Sequence, residues 1–301
     1  MTVKGLLKKS VNKNLFSSLN KYLDFTSEYL EFINDPSNIQ AVIIAQNETN
    51  YKFIQYKKDG TYNVTRPMNS NLMYDYNQFE SNKKKLISLL SNIKNEEFDT
   101  KDNRDILNNS IYTIQQCIGA TLDALPANKS NTARKINGDL FERLIRILLD
   151  LLNIDCKSGV VQLPVKLEGK ELFKMSYQHD LIIKYNDELK AIGSVKTSSK
   201  DRIDKIFLDK FLYCKITETE IPHFAVFLND VQRKNTSRAG KYSINSTFLP
   251  GHFKVYTVKL NPLDGVYYCD IRPNMMTEDL IKDHIKTFDN LLFNDIWEFL
   301  K

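Results

Sequence analysis

Four histidines and four cysteines in 301 residues leave little material for two common kinds of site. The cysteines, Cys117, Cys156, Cys214 and Cys269, are scattered and form no C-x-x-C pair. Neither a zinc site nor a disulfide framework is indicated, and reduced core thiols in a cytoplasmic protein are expected. With only His179, His223, His252 and His284 available, a histidine-based metal centre is disfavoured. No apolar run reaches the ~18 residues that a membrane span needs. The segment MTVKGLLKKSVNKN has no long apolar stretch and no small-residue cleavage site, so it is not expected to be a secretory signal. No repeat or low-complexity segment stands out, although Asn and Lys are frequent.

What is present is the composition of a soluble globular protein, 42% hydrophobic and 26% charged, long enough for one large domain or two smaller ones with real cores. The net charge of +5 is modest, but it is unevenly spread. Gly193 to Lys259 holds 12 Lys and Arg against 6 Asp and Glu, a local excess of +6, so the remainder is close to neutral. A basic region suits a polyanionic substrate; a solvated lysine-rich face would give the same count.

The most informative stretch runs from His179 to Asp209. Leu181-Ile182-Ile183 and Ala191-Ile192 flank a polar turn at Asn186-Asp187-Glu188, a hairpin signal. The second strand ends in Ser194-Val195-Lys196, with Ser194 and Lys196 on one face. Thr197-Ser198-Ser199 is expected to cap a helix from near Lys200, whose apolar stripe is Ile203, Ile206, Phe207, Phe211 and Cys214. Asp180, Lys196 and a further acid can thus meet at one end of a small sheet. Two carboxylates bind a hard cation through oxygen, and a neighbouring lysine orients water or stabilises developing charge, which suits phosphodiester hydrolysis. An ordinary hairpin and helix with surface charges would show the same spacing.

The segment resembles the PD-(D/E)xK nuclease core of type II restriction endonucleases. In that family an acid usually stands two positions before the lysine; here that residue is Ser194. The EcoRII-like subgroup carries Ser or Lys there and supplies the displaced carboxylate from the following helix. Asp209, with twelve residues between it and Lys196, matches that position, although the subgroup usually has Glu. Lys200-Asp201-Arg202 is similar to the subgroup's K-D-R cluster facing DNA, and His179 stands where the family often has Pro. Gly138-Asp139-Leu140-Phe141-Glu142 resembles the start of the family's first core helix, whose Glu approaches the metal site. The resemblance spans roughly residues 135 to 260. It implies an α/β restriction-endonuclease-like core, a mixed central sheet flanked by helices. It further implies Mg²⁺ held by Asp180 and Asp209, Lys196 and Glu142 as further catalytic residues, double-stranded DNA as substrate, and a homodimer or higher homo-oligomer.

Elsewhere, residues 1 to about 34 read as helices stopped by Pro36, and Gln40–Ile44 as a strand. Tyr51–Tyr56 and Tyr62–Thr65 read as a hairpin about Lys58-Asp59-Gly60. Residues 84–94 and 104–125 return to helical periodicity. These make an α+β accessory region over 1–125, joined by a polar linker at 126–137 to a catalytic domain at 138–301. Within the latter, 160–165 and 222–228 are expected strands and Gln232–Lys241 a basic loop, with Arg233, Lys234 and Arg238 available to DNA. Phe253–Leu260 is expected as another strand, and Thr277 as the cap of a C-terminal helix running toward Trp297. The expected function is sequence-specific DNA cleavage. The alternatives are a repair or junction-resolving nuclease on the same core, or a non-catalytic DNA-binding protein on a degraded nuclease fold, for which Ser194 speaks.

Overall fold

The computed structural model describes residues 1–57, 62–200 and 202–301. By internal contacts the chain divides into two units, Met1–Ile147 with Val231–Thr247, and Leu148–Asp230 with Phe248–Lys301.

The first unit opens with α1 (Val3–Val11) and α2 (Leu19–Asn34), then β1 (Ile39–Ile44), β2 (Tyr51–Tyr56) and the short β3 (Met68–Asn69), which form one three-stranded antiparallel sheet. The expected turn at Lys58-Asp59-Gly60 lies outside the described residues. Its expected return strand, Tyr62–Thr65, is irregular. Instead Thr65 Oγ1 accepts the Ile54 N–H at 2.8 Å, so a side chain supplies what a strand would have. Then follow α3 (Tyr76–Asn92), started by an Asp75–Gln78 capping box, and α4 (Lys101–Leu122), which is buried throughout Ser110–Leu122.

Residues 126–137, expected as a linker, are helical. A 3₁₀ turn at Ala127–Lys129 leads into α5 (Ser130–Leu151), so the division between units falls inside a helix. The segment lacks an apolar period, and tertiary contacts hold it. Ala133 and Asn137 are buried, and Gln115 Nε2 donates to both oxygens of Asn137, at 3.0 and 2.9 Å.

The second unit is built on a six-stranded mixed sheet in the order β11-β10-β7-β6-β5-β4. In chain order come β4 (Asp155–Leu167), β5 (Lys170–Tyr185), β6 (Glu188–Lys196), α6 (Ile203–Thr217) and β7 (His223–Phe227). The β5–β6 turn is the expected one, with Asn186 and Asp187 both at positive φ, 50° and 63°. The basic segment Gln232–Lys241 is not a free loop. It is most of a hairpin of β8 (Val231–Asn235) and β9 (Tyr242–Ser246) that belongs to the first unit, where Val231 and Ile244 share a core with Ala45, Tyr51 and Phe53. Asn47 fixes it by exchanging two hydrogen bonds with Ile244.

Residues 250–259 form α7 (Pro250–Lys259) where a strand was expected. The alternation of Phe253, Val255 and Thr257 reads as β, but Pro250 at the first helical position starts a helix. Burial of Phe253 and Thr257, four residues apart, then holds it, with the Phe253 ring edge-on to Phe207 at 5.6 Å. After β10 (Gly265–Tyr268), the helix expected from Thr277 is only the four-residue α8 (Asp279–Lys282), capped at Glu278. The chain then returns as β11 (Ile285–Thr287), parallel to β10 and burying Ile285, before α9 (Phe288–Asn290) and α10 (Ile296–Phe299), joined by a π turn. Strand β11 thus lies where the helix from Thr277 toward Trp297 was expected.

β6, β7, β10 and β11 are parallel, so their C-terminal ends share one edge of the sheet. α6 and α7 cover one face, packing on Ala225, Phe227, Val266 and Tyr268; on the other face Phe224 stacks with Phe299 of α10 at 5.5 Å. The expected α/β class is therefore present, a mixed central sheet flanked by helices.

Candidate active site

Strand β5 changes register where the site forms. Gly159 of β4 is opposite His179, but Lys157 is opposite Ile182, so β5 carries one extra residue between them. Such a bulge turns two successive side chains to one face. Leu181 faces Gly193 and the Phe224 side of the sheet. Both residues before it look the other way, toward α6. The His179 ring meets His223, and Asp180 meets Lys196. Lys196, opposite Phe227 at the end of β6, is on that α6 face too. Alternation from Leu181 already aims Asp180 at Lys196, and the bulge adds His179 beside it.

Asp180 Oδ2 accepts the Lys196 ammonium and, at 2.9 Å, the Val195 N–H. Both described bonds use Oδ2, which leaves Oδ1 open to a cation. The Asp180 and Lys196 side chains are 19% and 24% exposed, so solvent and substrate reach the pair. Ser194 is half-buried one pleat before Lys196, on the same face.

α6 starts later than expected, at Ile203, with Arg202 as N-cap and no side-chain cap bond. The Ser/Thr cluster is otherwise engaged: Ser198 Oγ accepts the Lys200 N–H at 3.3 Å, and Ser199 is buried. Lys200 and Arg202 are exposed at this end of the helix; Asp201 lies outside the described residues. Asp209 is on the sheet-facing side. Tyr213, one turn later, packs its ring on His223 at 5.2 Å, and the Asp209 charge acts on both Tyr177 and His179. Its own partner is Lys205, at 2.8 Å.

Under α6 lies a layer of polar aromatics. Tyr177 and His179 stack at 5.6 Å, and His223 stands edge-on to His179 at 6.5 Å. Burial lowers the pKa of His179 and takes that of His223 down to about 4; burial, then the Asp209 charge, pushes Tyr177 up to about 12. His179, Tyr177 and Lys205 were not singled out as functional from the sequence. Their only signals were a histidine next to the expected acid and a Lys–Asp pair at helical i, i+4 spacing.

The remaining candidates lie in the first unit. Glu142 is half-buried on α5. Arg233 donates to the Val64 carbonyl and stacks on Tyr242 at 5.2 Å, so its guanidinium already serves the hairpin; Lys234 and Arg238 are exposed.

Among the described residues no three His, Cys, Asp or Glu side chains converge to hold a metal by themselves. Asp180 and Asp209 do offer hard oxygen donors, each with one oxygen outside the described ion pairs. Two carboxylates fit Mg²⁺, which keeps several waters and takes substrate phosphate oxygens.

No family model and no curated protein matches the sequence. The fold is that of a restriction endonuclease. The crystal structure of the type IIP restriction endonuclease Kpn2I superimposes with a TM-score of 0.71 at 16% identity, over 99% of this chain and 97% of that one. A looser likeness, TM-score 0.43 at 17% identity, is to the restriction endonuclease PspGI in complex with substrate DNA, over 73% of this chain and 88% of that one.

Proposed function

We propose that this chain is a Mg²⁺-dependent type II restriction endonuclease of the EcoRII-like subgroup, hydrolysing phosphodiester bonds of double-stranded DNA at a specific sequence. The observation that carries the reading is the pairing of Asp180 with Lys196 at a bulge, Oδ1 left open, on a restriction-endonuclease fold. Asp180 and Asp209 would hold the cation through their carboxylate oxygens. The cation, when bound, stabilises negative charge building on the phosphate. Lys196 donates to the attacking water and fixes its approach; its partial exposure lets water and phosphate reach the ammonium. Ser194 fills the displaced acid's slot without charge.

Lys200, Asp201 and Arg202 contact base edges, Arg donating to guanine and a carboxylate accepting from cytosine. Arg233, Lys234 and Arg238 supply positive charge toward phosphates. Two copies form a homodimer in the cytoplasm, because a palindromic site and two cuts call for two-fold symmetry.

Incubation with supercoiled plasmid of known sequence tests this. Discrete fragments with Mg²⁺ and none with EDTA are expected. Binding without cutting would favour a DNA-binding protein on a degraded nuclease fold, and cutting without sequence preference a repair or junction-resolving nuclease.

A further inference from the structure

Among the buried polar atoms of the second unit's described residues that lack a hydrogen-bond partner, three lie together under α6: Tyr177 Oη, His179 Nε2 and His223 Nε2. Their residues are 4%, 4% and 1% exposed, so bulk water does not satisfy them. Leaving such atoms unpaired costs stability, and most folds avoid it. Here they are gathered in one layer, by the 5.6 Å and 6.5 Å ring contacts described above, and two of them belong to the residues on which the Asp209 charge acts. Asp209 itself is held from outside by Lys205, whose side chain is 72% exposed and therefore a weak anchor. A carboxylate that ligates a cation is ordinarily oriented by a hydrogen bond from behind.

We propose that Tyr177 and His179 are positioning residues for Asp209, their hydroxyl and Nε2–H donating to its carboxylate from the buried side once a divalent cation draws it away from Lys205. This rests on Asp209 being a metal ligand. It requires the Nε2–H tautomer of His179 and accounts for two orphaned donors with one acceptor. The bulge then has a role here: it turns His179 to the face that Asp180 takes by alternation from Leu181, so one acid and a residue positioning the other are neighbours on one strand.

Tyr177→Phe and His179→Phe keep the rings and remove the donors. The test is Ca²⁺ titrated calorimetrically into the full chain mixed with plasmid DNA, beside thermal unfolding of the free chain. Tyr177→Phe deletes an orphaned buried hydroxyl, so the free variant should unfold at the same or a higher temperature. Its apparent Ca²⁺ dissociation constant should nevertheless rise about three- to tenfold, the worth of one such hydrogen bond. His179→Phe should weaken Ca²⁺ binding comparably. A purely structural hydroxyl would not separate the two readouts. Unchanged Ca²⁺ affinity in both variants, with the wild type binding, overturns the proposal and leaves the metal reading standing. A lower unfolding temperature for Tyr177→Phe also overturns it, since the hydroxyl would then have a partner in the free fold. A wild type that binds no Ca²⁺ beside DNA overturns the metal reading of Asp209, and the positioning role with it.

Discussion

Asp264→Asn should destabilise the second unit strongly, although Asp264 is in a loop far along the chain from the segment that carries the candidate site. Lys210, the residue after Asp209, is only 7% exposed at its side chain, and its ammonium donates to Asp264 Oδ2 at 2.8 Å and to the Pro262 carbonyl at 2.6 Å. The same Oδ2 accepts the His223 N–H at 2.6 Å. Asparagine keeps an acceptor for that amide but removes the charge facing Lys210. Stripping one partner from a fully buried pair costs roughly 3–5 kcal/mol; with Asp264 35% exposed, water screens part of it and about 2–3 kcal/mol is expected. Lys210→Met in the same chain removes the stranded ammonium, and the double variant should return to within about 1 kcal/mol of wild type. Urea unfolding of the four proteins of this cycle reads both numbers. A loss below about 1 kcal/mol for Asp264→Asn, or no recovery in the double variant, would refute the idea that an unpaired Lys210 is what costs.

Gly193→Ala places a Cβ 2.5 Å from Phe224 Cζ and 2.9 Å from Leu181 Cδ1, both on fully buried residues, and should cost about 1–3 kcal/mol in the same assay. His223 has its pKa held down to about 4 by burial, so the unfolded chain takes up its proton first; stability should fall as pH drops from about 6.5 to about 4, by roughly 3 kcal/mol from this group, and His223→Gln should flatten that part of the urea-midpoint profile. Asp209→Asn should lower metal affinity and cleavage sharply, whereas Asp204→Asn, on an exposed position of α6, should be nearly silent; the reverse pattern would mean that α6 presents a different acid.

The hairpin bearing Asp180 and Lys196 was legible because its signals are local: two apolar runs, a turn that tolerates positive φ, and alternation within β6. The bulge was not, since it is a mismatch of register with β4, and nothing near His179 in sequence announces it. α7 was misread because Phe253, Val255 and Thr257 alternate as a strand would, whereas Pro250 starts a helix that buries Phe253 and Thr257 and leaves Val255 exposed. Residues 126–137 lacked an apolar stripe because the segment is held by a buried amide pair, Gln115 with Asn137, rather than by a hydrophobic face. The β8–β9 hairpin read as a free basic loop for a similar reason. Its anchors, Asn47 and the core around Phe53, come from a part of the chain almost two hundred residues earlier. The short β11 depends on pairing with β10, which no local window contains.

The most direct test of the central claim is a Mg²⁺ digest of supercoiled plasmid by the wild type and by Lys196→Ala, side by side with a gel-shift measurement of DNA binding. The ammonium is partly exposed and its loss leaves Asp180 still bonded to the Val195 N–H, so the variant should stay folded and keep its DNA affinity. Its cleavage rate should fall at least about a hundredfold, the scale of losing one charge-stabilising donor. A Lys196→Ala protein that cuts at near the wild-type rate would contradict the assignment of the site.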